Sequence, residues 1–128
     1  MNWKATCPAV AVIVAVLAAV AMRRLGFRRA IVVGESMLPA FAPGDRVLLG
    51  PTGRLRAGQV VGFADPRDQT RLLIKRVHAV HGPTVDVRGD YEGASTDSRL
   101  FGPIPRSGLA GRVLYRYAPP GRTGWMPQ

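Results

Sequence analysis

Turn signals break the chain so often after residue 30 that only a fold of short strands accommodates them. Pro43-Gly44-Asp45, Pro51-Thr52-Gly53, Asp65-Pro66, His81-Gly82-Pro83 and Gly102-Pro103 separate the runs Ala30–Val33, Arg46–Leu49, Gln59–Phe63, Leu72–Val80, Thr84–Arg88 and Gly111–Tyr117. These runs favour strands, and the glycines and prolines between them favour turns. The 15 glycines and 11 prolines in 128 residues likewise argue against a helical bundle. The pattern predicts a small all-β domain of sandwich or barrel type over residues 31–117, with enough chain for one core and not two. Residues 118–128, APPGRTGWMPQ, read as a loose tail.

The other constraint lies at the start. Ala5 to Met22 carries no charge, with Lys4 before it and Arg23, Arg24, Arg28 and Arg29 after it. A helix of that length spans about 27 Å, just enough for a bilayer core. One reading is a cleavable signal peptide with Ala19-Val20-Ala21 as its small-x-small site. The other is a retained anchor, and the charged stop favours it. Residues 1–30 are therefore expected to form a transmembrane anchor with a basic flank, making the protein a single-pass membrane protein. The positive-inside rule places the body in the cytoplasm, whereas arginines on lipid head groups suit the outer side, so the sidedness stays open.

Composition narrows the function classes. A hydrophobic content of 47% excludes disorder as the main state, and Cys7 alone cannot build a disulfide framework. Two histidines, His78 and His81, give little to a metal site. The net charge of +10 invites a nucleic-acid reading. However, the basic residues of the body alternate with acids and prolines and lack an aromatic stacking platform, so no nucleic-acid partner is expected.

Three places offer chemistry. Ser36, in Gly34-Glu35-Ser36-Met37-Leu38-Pro39 after an apolar strand end, is either a plain turn serine or one exposed beside backbone N–H groups that can stabilise an oxyanion. In the run Leu72–Val80, alternation sets Lys75 on one face with Leu73, Val77 and Ala79, and Leu72, Ile74, Arg76, His78 and Val80 on the other. All but two of the 18 basic residues are arginine, and Lys75 is the only lysine outside the N-terminal flank. It is either a snorkelling strand lysine or a desolvated amine able to lose its proton, which arginine cannot do. The polar stretch Gly89–Arg99 contains Ser95, Asp97 and Arg99, as a solvated loop or as an ion-paired support for a nearby amine.

Taken in order, Gly34-x-Ser36-Met37-x-Pro39, Pro43-Gly44-Asp45, Lys75-Arg76-Val77 and Gly89-Asp90 with Ser95-x-Asp97-Ser98-Arg99-x-x-Gly102-Pro103 resemble the signal-peptidase-I-like serine endopeptidases. The resemblance covers residues 31–117. It implies Ser36 as nucleophile and Lys75 as general base, with Ser95 orienting the amine and Asp97 and Arg99 as the supporting ion pair. Met37 and Pro39 would shape the substrate-binding turn, and the Ser36 N–H would serve the oxyanion hole. Gly34 stands where some relatives carry an assisting hydroxyl. Gly58-Gln59 replaces a Gly-Asp pair, and Tyr91 replaces an asparagine.

The resemblance implies a minimal catalytic core that needs no cofactor and acts on a protein substrate with an N-terminal leader beside membrane lipid. The stretch Phe101–Pro105 with Arg116-Tyr117-x-Pro119 is similar to nickel-type superoxide dismutase maturation proteases and to mitochondrial inner-membrane peptidases. The Arg- and Ala-rich composition favours the former. A general signal peptidase and a non-catalytic peptide-binding β-domain are the competing expectations; a self-cleaving repressor lacks its DNA-binding region and target linker here.

Overall fold

A computed structural model describes residues 7–126. Helix α1 (Pro8–Arg24) begins with proline at its first turn, where the missing N–H costs nothing. It ends on Arg23 and Arg24, whose charges suit the C-terminal dipole, and on Gly26 with φ +89°. Strands β1 (Arg28–Ile31), β2 (Arg46–Gly50), β3 (Val60–Asp65), β4 (Asp68–His81) and β5 (Thr84–Arg88) follow. The one-turn helix α2 (Ser98–Phe101), then β6 (Ile104–Pro105), β7 (Leu109–Ala118) and β8 (Gly124–Trp125) complete the chain.

All strands join one antiparallel sheet in the order β1-β2-β7-β3-β4-β5-β6, with β8 paired to β7. Among the described residues two stretches of strand edge stay open. β1 closes one end of the order, so one of its sides carries no strand partner. β4 meets β5 only from Arg76 onward, which leaves Leu72–Lys75 paired with β3 alone, and a bulge separates Leu72 from the Asp65–Asp68 pair.

The all-β expectation agrees with this architecture, with differences in detail. Two buried apolar clusters, rather than one, lie against the sheet. Met37, Phe41, Val47, Leu49, Val60 and Ile74 belong to one; Val61, Phe63, Val77, Val85, Val87 and Ile104 belong to the other. Adjacent Val60 and Val61 thus serve opposite faces; the loop carrying Met37 and Phe41 covers one, and the loop carrying Leu55 together with Ile104 of β6 covers the other. One curled sheet can bury both faces under its own connections, so a chain of this length holds two clusters where a single core was expected.

The alternation along β4 holds from Leu73 to Val77. A register shift between Val77 and Ala79 then turns Val80 onto the Val77 side. The tail is not loose throughout, because Trp125 pairs with Tyr115 and their rings lie 4.8 Å apart. At the other end, α1 covers 17 residues, about 25 Å. Among the described residues no helix is long and apolar enough to cross a membrane. The expected apolar run begins at Ala5, outside the described residues.

Candidate active site

Three distant segments converge on one amine. β1 leads through Val32 and Val33 into the turn bearing Ser36; the middle of β4 supplies Lys75; the loop after β5 supplies Ser95 and Asp97. Lys75 Nζ lies 2.8 Å from Ser36 Oγ and 3.4 Å from Ser95 Oγ. The lysine is only 3% exposed, sits opposite Val61 in register and shares its face with Leu73 and Val77. Burial lowers its pKa below the ordinary lysine value, and the charges of Arg67 and Arg99 act in the same direction. Asp97 and, more weakly, Asp65 oppose them.

Ser95 is fixed by its own hydroxyl, which donates to Asp97 Oδ2 at 2.7 Å while Oγ accepts from the Gly89 N–H at 3.1 Å. Its remaining acceptor capacity therefore points at the lysine amine. Asp97 is 1% exposed. Desolvation favours its neutral form, but hydrogen bonds from Arg99, Ser95 and the Gly89 N–H outweigh burial and hold the carboxyl below the usual range. Arg99 grips it with Nε at 3.0 Å and Nη2 at 2.7 Å, and also reaches Glu92 at 3.0 Å.

The Ser36 turn is tied down by its backbone carbonyl, which accepts from the Tyr91 N–H at 2.9 Å. Neither the Ser36 nor the Met37 N–H donates to a protein acceptor among the described residues. Gly34 has φ +80°, a conformation glycine adopts freely and serine does not, which explains the missing hydroxyl at that position. Met37 is 1% exposed and packs in the core, so it supports the turn from beneath, whereas Pro39 is exposed.

Two residues of the motifs were given no role from sequence. Gly89 is buried, and a Cβ there would lie 2.2 Å from Ser95 Oγ and 2.7 Å from the Ser36 carbonyl oxygen. Arg76 pairs with Asp90 through Nη2 at 2.7 Å and Nε at 2.8 Å, locking β4 to the start of the supporting loop. Both stand inside the motifs Lys75-Arg76-Val77 and Gly89-Asp90, and that membership was their signal.

The pattern of the family described as signal peptidase, peptidase S26, matches residues 5–91. The chain belongs to this family. The match includes Ser36, Lys75 and Gly89 and stops before Ser95, Asp97 and Arg99. Among curated relatives, the chain is 34% identical over 114 residues to mitochondrial ATP-independent inner membrane protease subunit 1a of Arabidopsis thaliana, covering 68% of each chain. It is 30% identical over 117 residues to mitochondrial inner membrane protease subunit 2 of Mus musculus, covering 71% of this chain and 67% of that one. Signal peptidase membership indicates a serine-type peptidase hydrolase that works on protein substrates in association with membranes.

Proposed function

We propose that this chain is a serine endopeptidase that removes an N-terminal leader through a Ser36–Lys75 dyad. The observation that carries the reading is a buried amine 2.8 Å from a serine hydroxyl whose own turn leaves two N–H groups unclaimed. In the reactive state Lys75 is neutral. The Ser36 hydroxyl then donates to its lone pair, while an amine N–H points at Ser95 Oγ. Lys75 takes the Ser36 proton as Oγ attacks the scissile carbonyl, and the Ser36 N–H, with Met37 beside it, meets the developing oxyanion. The protonated amine hands its proton to the leaving nitrogen, giving an acyl-enzyme on Ser36. Water, deprotonated by the same amine, releases the leader.

The substrate lies extended between the unpaired sides of β1 and β4, which run in the same direction, β1 leading on to the Ser36 turn and β4 carrying Lys75 at its middle. Residues 1–30 tether the body to the membrane as a single-pass anchor, beside lipid. The proposed substrate is a nickel-type superoxide dismutase precursor, on the likeness of the stretch around Phe101–Pro105 and the Arg- and Ala-rich composition. Secreted preproteins are the second reading, favoured by relatives that are membrane proteases.

The test is mass-spectrometric cleavage by the full-length protein in detergent, with both precursors in parallel. Serine-dependent trimming of the dismutase precursor alone supports the maturation role; cleavage of the secreted preprotein alone moves the chain to general signal peptidases. Ser36→Ala and Lys75→Arg should each abolish turnover, since arginine stays protonated. Normal cleavage by Lys75→Arg would overturn the dyad.

A further inference from the structure

A cavity of about 1120 Å³ opens where α1 meets the body, and none of Ser36, Lys75 or Ser95 lines it. One wall is a single face of the helix. Val16, Ala19, Val20 and Arg23 follow the i, i+3, i+4, i+7 spacing that sets side chains on one side. The apolar residues come first, and Arg23 stands about 10 Å beyond Val16, at the end that joins the body. The helix leaves the body at a fixed point: Phe27 N–H donates to the Met22 carbonyl, and a Cβ on Gly26 would touch Pro51 at 3.5 Å. The facing wall belongs to the sheet, with Arg28 and Arg29 at the start of β1 and Arg71 and Leu72 on β4. No acidic residue lines the cavity. Asp65 and Asp68 feel the charge of Arg71 from outside the lining, and Asp65 is already gripped by Arg67.

We infer that this cavity holds one anionic phospholipid, its phosphate among the arginines and its acyl chains along Val16, Ala19 and Val20. The inference rests on the anchor reading of residues 1–30 above and names the lipid partner of that anchor. Val16 and Val20 stay 55% and 43% exposed, so the apolar half of the wall has no full cover among the described residues. Beside an anchor, that cover is lipid. The order along α1, apolar and then basic towards the body, is the order of a phospholipid from chain to headgroup. A free phosphate satisfies the guanidiniums and leaves the valines bare, whereas a phospholipid serves both ends. Basic recesses at the ends of spanning helices are where anionic headgroups gather. Arg71 makes this recess more than a basic flank, because it belongs to the folded sheet and faces the same space as the helix end.

Native mass spectrometry of the full-length protein, delipidated and released from detergent, counts bound lipid directly. The protein would be titrated with phosphatidylglycerol or with phosphatidylcholine. One phosphatidylglycerol per chain should be retained, with a preference of at least about fivefold over phosphatidylcholine. Arg71→Gln should weaken phosphatidylglycerol about fivefold, the effect of one basic residue at a lipid surface, and Arg71→Lys should keep most of the affinity. Arg54→Gln removes the same charge from an exposed loop that does not line the cavity, and should change nothing. All variants would be checked for native circular dichroism, with Arg28→Gln as a second test of the lining. Equal losses in Arg71→Gln and Arg54→Gln would mean diffuse attraction by net charge and would overturn the site. So would equal binding of the two lipids, several interchangeable adducts, or displacement of phosphatidylglycerol by equimolar glycerol 3-phosphate or an acidic peptide. Flotation with phosphatidylcholine vesicles reads the anchor separately. A chain that floats without lipid selectivity keeps its anchor and loses the site; one that holds a selective adduct without floating loses the anchor and keeps the site.

Discussion

Lys75 is as buried as the apolar side chains around it, and that burial has two measurable consequences. Its pKa is lowered by desolvation, so the rate should rise with pH along a limb that lies below the ordinary lysine range and level off once the amine is neutral. A pH–kcat/KM profile checks this; a limb near the ordinary lysine value of 10.5 would contradict it. The linkage to folding runs in the same direction. The unfolded chain holds the Lys75 proton more tightly, so this residue penalises the fold below its folded pKa, and the penalty disappears as pH rises through the unfolded value. Asp97, also lowered, contributes stability above the unfolded carboxylate value of 3.8 that is lost as pH falls through the acid range. Urea midpoints should therefore fall on acidification in wild type and fall less in Asp97→Asn. Gly89 tests the packing. Gly89→Ala puts a methyl against Ser95 Oγ and the Ser36 carbonyl, and should lower kcat by about a hundredfold through misplacement of both groups.

The element that holds Ser36, the proposed nucleophile, is the connection from β1 to β2, and it is anchored from far away. Val32 N–H donates to the Asp45 carbonyl, and Gly44 N–H to that of Val32. Buried Asp45 accepts from Ala42 N–H at 2.9 Å and from Arg116 at 3.3 Å, and Arg122 lies 3.4 Å away. Arg116, on β7, also donates to the Ala40 carbonyl at 2.7 Å and stacks over Phe41 with its guanidinium 5.4 Å from the ring centre. Asp45→Ala leaves these donors facing a void and should cost about 3 kcal/mol of unfolding free energy, measured by urea titration, with a parallel loss of activity. Pro43-Gly44-Asp45 was legible as a turn, but its partner was not, because Arg116 lies 71 residues further on and no local pattern links the two. The same holds for β4. Period-two alternation placed Lys75 among apolar neighbours, whereas the bulge near His78 is a backbone event with no residue signature. Trp125 likewise gained its place from Tyr115 across the sheet, out of reach of a reading that saw only prolines and glycines around it.

At the scale of the whole molecule, α1 presents Val12, Ile13, Val16 and Leu17 to its surroundings, each more than half exposed. With relatives at the mitochondrial inner membrane, this helix and the residues before it should hold the chain in the membrane pellet after carbonate washing. Two aspartates, Val12→Asp with Val16→Asp, would each cost about 2.5–3.5 kcal/mol at the centre of a span and should release the protein to the supernatant. Ser36 and Lys75 stand 39 residues apart in sequence, and Lys75 and Ser95 another 20. The three groups come from separate segments of the chain. If the proposed dyad is the catalytic centre, a chain still leaving the ribosome, or one partly denatured, carries no competent nucleophile until the segments of Ser36, Lys75 and Ser95 have met. Such a peptidase would be harmless to itself and its neighbours until it is finished, and recovery of activity during refolding would be a clock for completion of the fold.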